Sequence, residues 1–83
     1  MTPDEAREMI RAALVSVAPD VVLDEVDPDA DLREELDLDS IDFQAYTAEL
    51  ARRSGLAVTE DDQRRLTTLA AGVDLLTRAR THR

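Results

Sequence analysis

Apolar residues recur at helical spacing in three long stretches of the 83-residue chain, and each stretch begins near a residue suited to cap a helix. In the first, Ala6, Ile10, Ala13, Leu14 and Val17 form one stripe. Thr2-Pro3-Asp4-Glu5 ahead of it reads as a capping box, in which Thr2 accepts from the Glu5 amide and Glu5 reaches back. Pro3 falls at the first helical position, where its missing N–H costs nothing, and Pro19 marks the end. The second stretch runs from about Ser40 to Arg53. Phe43, Tyr46, Thr47 and Leu50 share one face and are predicted to be core. Ile41, Gln44, Ala45, Ala48 and Arg52 share the opposite face and are predicted to meet solvent or a partner. Asp39 or Ser40 caps this helix, and Asp42 stands in its first turn, the favourable end for a carboxylate. Glu49 and Arg53 pair at i,i+4, and Ser54-Gly55 stops the helix, Gly55 being suited to a left-handed turn. Thr59-Glu60-Asp61-Asp62 then opens a short third helix. Thr67 or Thr68 caps a final helix that buries Leu69, Gly72, Val73 and Leu76, with Arg78 and Arg80 in its last turn. Gly72 weakens that helix by up to about 1 kcal/mol relative to Ala, which points to close approach by a neighbouring helix.

Residues 18–39 form a long connection bracketed by Pro19 and Pro28, too acidic for another long helix. Val21, Val22, Leu23, Val26, Leu32 and Leu36 are expected to tack it onto the core, with a short helical turn over Asp31–Leu36. Ordered connections longer than about 12–15 residues usually carry function. The chain has no internal repeat and no strand-like alternation. The pattern therefore predicts an all-α fold: a four-helix bundle of three longer helices and one short one, with a long acidic loop between helices one and two. The length suits a single domain over residues 1–83, with a thin core, since a domain of this size buries only about 60–65% of its unfolded surface.

Charge changes the picture by its placement. The net charge is −9, and residues 18–42 alone hold eleven acids (Asp20, Asp24, Glu25, Asp27, Asp29, Asp31, Glu34, Glu35, Asp37, Asp39, Asp42) and one base, Arg33. The remaining eight acids and nine arginines nearly cancel. Such a field argues against nucleic-acid binding, which needs cations to displace counterions, and favours steering toward basic patches on partner proteins. No apolar run approaches the roughly 20 residues of a membrane span. No signal peptide is evident, and with no cysteine the expected location is the cytoplasm.

Several chemistries are excluded by spacing. Asp27-Pro28-Asp29-Ala30-Asp31 has the alternating acids of a calcium loop, but Leu32 stands where the turn needs Gly and Leu38 where a bidentate Glu is needed. No metal site is expected. His82, the single histidine, lies beside the C-terminus, so a Ser-His-Asp triad is implausible. There is no nucleophile elbow and no glycine-rich phosphate loop, since the only glycines are Gly55 and Gly72. The chain is not expected to be an enzyme.

What remains is Asp37-Leu38-Asp39-Ser40-Ile41-Asp42-Phe43. A serine at a helix N-terminus is most often simply a cap. Here an acidic loop precedes it, aspartates flank it, and apolar Ile41 sits on the outward face, where a cap needs none. A phosphate ester on Ser40 would meet free amides and the positive end of the helix dipole, which helps offset repulsion from Asp39 and Asp42. The residues read as a modifiable serine beside a docking face.

Asp39-Ser40-Ile41-Asp42 resembles the Asp-Ser-Leu-Asp motif of acyl carrier proteins, with Ile in place of Leu, and the order of elements is similar along nearly the whole chain. Val58-Thr59-Glu60-Asp61-Asp62 followed by Leu66-Thr67-Thr68-Leu69 resembles the segment that joins the family's later helices. The resemblance implies that Ser40 carries a 4'-phosphopantetheine arm, transferred from coenzyme A by a phosphopantetheinyl transferase and ending in a thiol that holds acyl groups as thioesters. It implies that Asp39 and Asp42 help the transferase recognise the site, and that Ile41 is the apolar contact beside the arm. It further implies a free-standing, monomeric carrier that catalyses nothing and serves acyl-loading, condensing or acyl-transfer enzymes with basic docking patches. The departures are Asp37, where the family usually has Gly; Ala45, where fatty-acid carriers commonly have Glu; and Ala51-Arg52-Arg53, where the family is usually acidic. Gln44, Ala45, Ala48 and Arg52 thus give helix two a partner face with little negative charge, which suggests a specialised fatty-acid, polyketide or acyl-modification pathway. The alternatives are a peptidyl or aminoacyl carrier, whose serine tends to follow Gly and His, and an unmodified acidic adaptor.

Overall fold

The computed structural model describes residues 2–79. Helix α1 spans Pro3–Val15, and Thr2 caps it through the reciprocal bonds that its sequence predicts: the Glu5 amide donates to Thr2 Oγ1 at 3.1 Å and the Thr2 amide donates to Glu5 Oε1 at 2.9 Å. A 3-10 turn follows at Leu23–Glu25 and a one-turn helix, α2, at Leu32–Glu35. Helix α3 spans Ser40–Ser54, α4 spans Glu60–Arg65, and α5 spans Leu69–Ala79. The fold is all-α, with three long helices, no strand among the described residues, and α2 where a short helical turn was expected. No described helix is long and apolar enough to cross a membrane.

The core forms where α1 packs against α3 and α5. Ala6, Ile10, Ala13 and Leu14 of α1 meet Tyr46 and Leu50 of α3 and Leu69 and Leu76 of α5. Phe43, Tyr46, Thr47 and Leu50 are all buried, as the periodicity predicts. Thr47 satisfies its buried hydroxyl by donating to the Gln44 carbonyl at 3.0 Å. The Tyr46 hydroxyl is buried without a hydrogen-bond partner, and burial pushes its ionisation well above the ordinary phenol range. Val73 is only half-buried, whereas Leu69, Gly72 and Leu76 are buried as expected. Thr68, of the two candidate threonines, caps α5 by accepting from the Ala71 amide at 3.1 Å. Arg78 lies in the last turn of α5, while Arg80 and His82 fall outside the described residues.

The acidic connection is ordered onto this core. Leu23, Val26 and Leu32 are buried, and Val21 and Leu36 pack against the core at partial exposure. Val22 does not join them, being 52% exposed. It sits in extended backbone, where neighbouring side chains alternate sides, so seating Val21 and Leu23 turns Val22 outward. Two backbone bonds stitch the connection to the α4–α5 junction: the Leu32 amide donates to the Thr67 carbonyl at 2.7 Å, and the Ala70 amide donates to the Pro28 carbonyl at 2.9 Å. From the other side Arg7 of α1 pairs with Asp24 at 3.1 Å.

Candidate functional site

The turn before α3 sets the position of Ser40. Helix α2 ends in a Schellman motif: the Leu38 amide donates to the Arg33 carbonyl at 2.9 Å, and Asp37 takes the left-handed position with φ 57°. Leu38 is buried beneath the turn. Asp39 follows in extended backbone and caps α3, its Oδ1 accepting from the Asp42 amide at 2.7 Å. Of the two candidate caps, Asp39 therefore does the work, and Ser40 is the first residue of the helix. Its side chain is exposed, and its hydroxyl makes no hydrogen bond among the described residues. The Asp39 carboxylate accepts from the Asp42 amide through Oδ1 and makes no hydrogen bond with the Ser40 hydroxyl. The first-turn amides of Ser40 and Ile41 have no hydrogen-bond acceptor among the described residues, as is usual for donors at a helix N-terminus.

Ile41 stands fully outward, 75% exposed, and Asp42 is half-buried. Gln44, Ala45, Ala48 and Arg52 are all exposed along the side of α3 away from the core, so the outward face is assembled as its spacing predicts. Its one cation is not free. Arg52 pairs with Glu49 at 2.5 Å, and Arg53 reaches the same carboxylate at 2.7 Å. The hydrogen bond from Arg52 holds the Glu49 carboxyl below the usual carboxylate range. The helix ends at Gly55 with φ 74°, in the left-handed turn its sequence calls for.

Ser40 also lines an open cleft of about 610 Å³ between α3 and α4, together with Arg33, Phe43, Gln44, Glu60, Gln63, Arg64 and Thr67. Apart from Ser40 and Gln44, sequence reasoning identified none of these as site residues. Arg33 appeared only as the lone base of an acidic segment, and Phe43 only as core. The cleft exists because the Leu32–Thr67 backbone bond brings α2 against the α4–α5 junction, and a bond between main-chain atoms leaves no side-chain signature. Arg33 is held in place by the Phe43 ring, 5.6 Å from its guanidinium carbon, and by Asp31 at 3.4 Å. The Arg33 amide, donating to Asp31, holds that carboxyl below its usual range. A second, apolar cleft of about 260 Å³ lies near the far end of α3, lined by Leu50, Leu56, Val58, Leu66, Leu75 and Leu76 among others. Leu50 is roughly 15 Å along the helix axis from Ser40 at 1.5 Å per residue.

A family model described as "Phosphopantetheine attachment site" matches residues 9–76, a span that contains Ser40 and both clefts. No curated protein matches the chain.

Proposed function

The chain belongs to the phosphopantetheine-attachment-site family, and from that membership we propose that it is an acyl carrier protein whose arm is borne by Ser40. Members of this family carry a covalently attached 4'-phosphopantetheine group, which supplies the thiol that holds acyl cargo as a thioester. They are carriers, not catalysts, and they work with phosphopantetheinyl transferases and acyl-handling enzymes. The observation that carries the assignment to Ser40 is its hydroxyl: exposed, uncommitted, and at the first turn of a long helix because Asp39 has taken the capping role.

The residues around Ser40 fit the group. In the transfer step a bond forms between Ser40 Oγ and phosphorus, the phosphoanhydride of coenzyme A breaks, and the nucleoside bisphosphate leaves. The serine proton goes to a base on the transferase, since neither Asp39 nor Asp42 is hydrogen-bonded to the Ser40 hydroxyl. The resulting phosphodiester anion would feel Asp39 and Asp42, each costing about 0.5–1 kcal/mol at several ångströms in water. The N-terminal end of α3 offsets this by about 0.3–1 kcal/mol. The two carboxylates together cost about 1–2 kcal/mol, the helix end offsets part of that, and the small remainder is one the site tolerates.

The exposed face from Ile41 through Gln44, Ala45 and Ala48 to Arg52 serves as the docking surface, with Asp39 and Asp42 marking the site for the transferase. Its low negative charge favours a specialised fatty-acid, polyketide or acyl-modification pathway over enzymes that grip an acidic helix. The apolar cleft beyond Leu50 offers space for an aliphatic cargo. We further propose that residues 1–83 act as a single carrier domain, monomeric and cytoplasmic.

Mass spectrometry after incubation with coenzyme A and a broad-specificity transferase tests the assignment. Wild type is expected to gain the mass of one phosphopantetheine and Ser40→Ala none. No gain on wild type, or a gain that persists in Ser40→Ala, would overturn it, and the first of these outcomes is what an unmodified adaptor predicts.

A further inference from the structure

We propose that the outward face of α3 is a charge-polarised docking strip, and that the enzyme it fits presents a base beside its active-site entrance and a carboxylate about 15 Å farther along, opposite Arg52 and Arg53. The inference rests on the carrier reading of Ser40. At about 100° per residue, Ile41, Ala45, Ala48 and Arg52 fall in one row, with Asp42, Glu49 and Arg53 along its flank. From Asp42 to Arg52 the axis rises by about 15 Å. The Ser40 end of the strip is anionic. Asp39 and Asp42 meet no base at salt-bridge distance among the described residues, and Asp20 and Asp37 line a hollow together with Asp42. The far end is cationic. Arg52 and Arg53 share the carboxylate of Glu49, which leaves one positive charge in excess. The Glu49 side chain is 20% exposed and that of Arg52 69%, so a docking surface meets the guanidinium first.

Between its ends the strip is low. Ala45 and Ala48 carry only methyl groups, and a hollow of about 320 Å³ opens beside them, lined by Gln44, Thr47, Ala48, Ala51, Val58 and Gln63. A side chain of the partner can enter there while the charged ends pair on either side. The helix dipole favours carboxylates in the first turn and guanidiniums in the last, so this polarity is compatible with a stable α3. Opposite signs at the two ends give docking a direction. A partner turned end for end would set its base against Arg52 and Arg53 and its carboxylate against Asp39 and Asp42. Like charges facing each other suppress that arrangement. Direction matters because Ser40 stands at one end only. A surface that is basic along its whole length would match Asp39 and Asp42 but be repelled at Arg52 and Arg53.

The test is a charge-swap cycle with the full chain, loaded on Ser40 with a hexanoyl-bearing arm and its mass confirmed. The probe is a condensing enzyme whose docking patch is wholly basic, used unchanged and with the bases about 15 Å from its active-site entrance replaced by Glu. The readout is kcat/KM for thioester exchange that moves the hexanoyl group to the enzyme's active-site cysteine. Wild type is expected to prefer the Glu-bearing enzyme by at least about threefold, and Arg52→Glu/Arg53→Glu to prefer the wholly basic one by as much. Both preferences should lie in KM and fade at about 0.5 M salt. Arg52→Gln/Arg53→Gln removes the charge at similar length, is expected to show a preference below about twofold, and carries the comparison if the glutamate variant does not fold. One and the same preference in wild type and the variants would overturn the polarity. A chain that takes no arm from coenzyme A removes the carrier reading itself, whereas loaded chains without the change in preference remove only this inference.

Discussion

The Schellman turn that ends α2 needs a left-handed residue, and the chain uses Asp37 there with φ 57°. Glycine adopts that conformation without steric cost, whereas a residue with a Cβ loses about 1 kcal/mol, somewhat less for Asp or Asn. This gives the family's usual glycine at that position a physical reason: it closes the turn that aims the serine. Asp37→Gly and Asp37→Ala remove the same negative charge and differ in left-handed tolerance. The glycine variant is expected to be about 1 kcal/mol more stable than the alanine variant in urea unfolding. Equal midpoints would mean that the turn is not under strain. The departure was visible in the sequence as a missing glycine. Its cost was not, because the sequence alone does not give the sign of φ. The choice between Asp39 and Ser40 as cap was similarly open, since both side chains can accept from an amide. The 2.7 Å bond from the Asp42 amide to Asp39 decides it, and so leaves the serine hydroxyl unused.

At the scale of elements, Gly72 decides how closely α5 lies against α1. A Cβ built there would meet Ile10 Cδ1 at 3.1 Å and Leu66 Cδ2 at 3.4 Å, so the close approach expected from a mid-helix glycine is what the packing contains. Two terms oppose one another on substitution. Alanine returns up to about 1 kcal/mol of helix propensity. Overpacking costs about 1–3 kcal/mol where the neighbours cannot yield. Both contacts are to side-chain ends, which can yield by a few tenths of an ångström. Gly72→Ala is therefore expected to change stability by less than about 1 kcal/mol, and Gly72→Val to lose about 2 kcal/mol or more. A valine variant as stable as wild type in thermal melts would show that the two helices are loosely packed. The four main helices were legible because each announces itself by a cap or a periodic stripe, as Thr2, Phe43-Tyr46-Leu50 and Thr59 do. The stitching of the acidic connection to the α4–α5 junction was not legible. It runs through the main chain at Leu32, Thr67, Pro28 and Ala70, where any side chain would serve. The polar cleft beside Ser40 depends on that stitching, which is why Arg33, Gln63 and Thr67 could be read only after folding.

For the whole molecule the governing quantity is the distance over which its acids act on one another. Of the eleven acids in residues 18–42, only Asp24 and Asp31 meet an arginine at salt-bridge distance among the described residues. The protein measures 36 × 24 × 19 Å, and the Debye length is about 30 Å at 0.01 M salt and about 8 Å at 0.15 M. At low salt the excess carboxylates therefore repel across most of the molecule, and at moderate salt only near neighbours do. Salt also weakens attractions, including the pairs Glu8–Arg11, Glu49–Arg53, Asp61–Arg64 and Asp74–Arg78. Those pairs are in contact, well inside either screening length, and exposed pairs of this kind contribute only about 0.3–0.5 kcal/mol each. Repulsion spread over longer distances is screened first. Raising sodium chloride from 0.01 M to 0.15 M is thus expected to stabilise the fold by about 1 kcal/mol, which for a domain this size moves Tm upward by roughly 4–8 °C. Loading Ser40 adds one more anion beside Asp39 and Asp42, so the loaded protein should show the steeper dependence on salt unless Arg33 neutralises the addition. Differential scanning calorimetry on both forms separates these cases. A Tm that does not move with ionic strength in either form would mean that the acidic segment does not repel itself in the folded state.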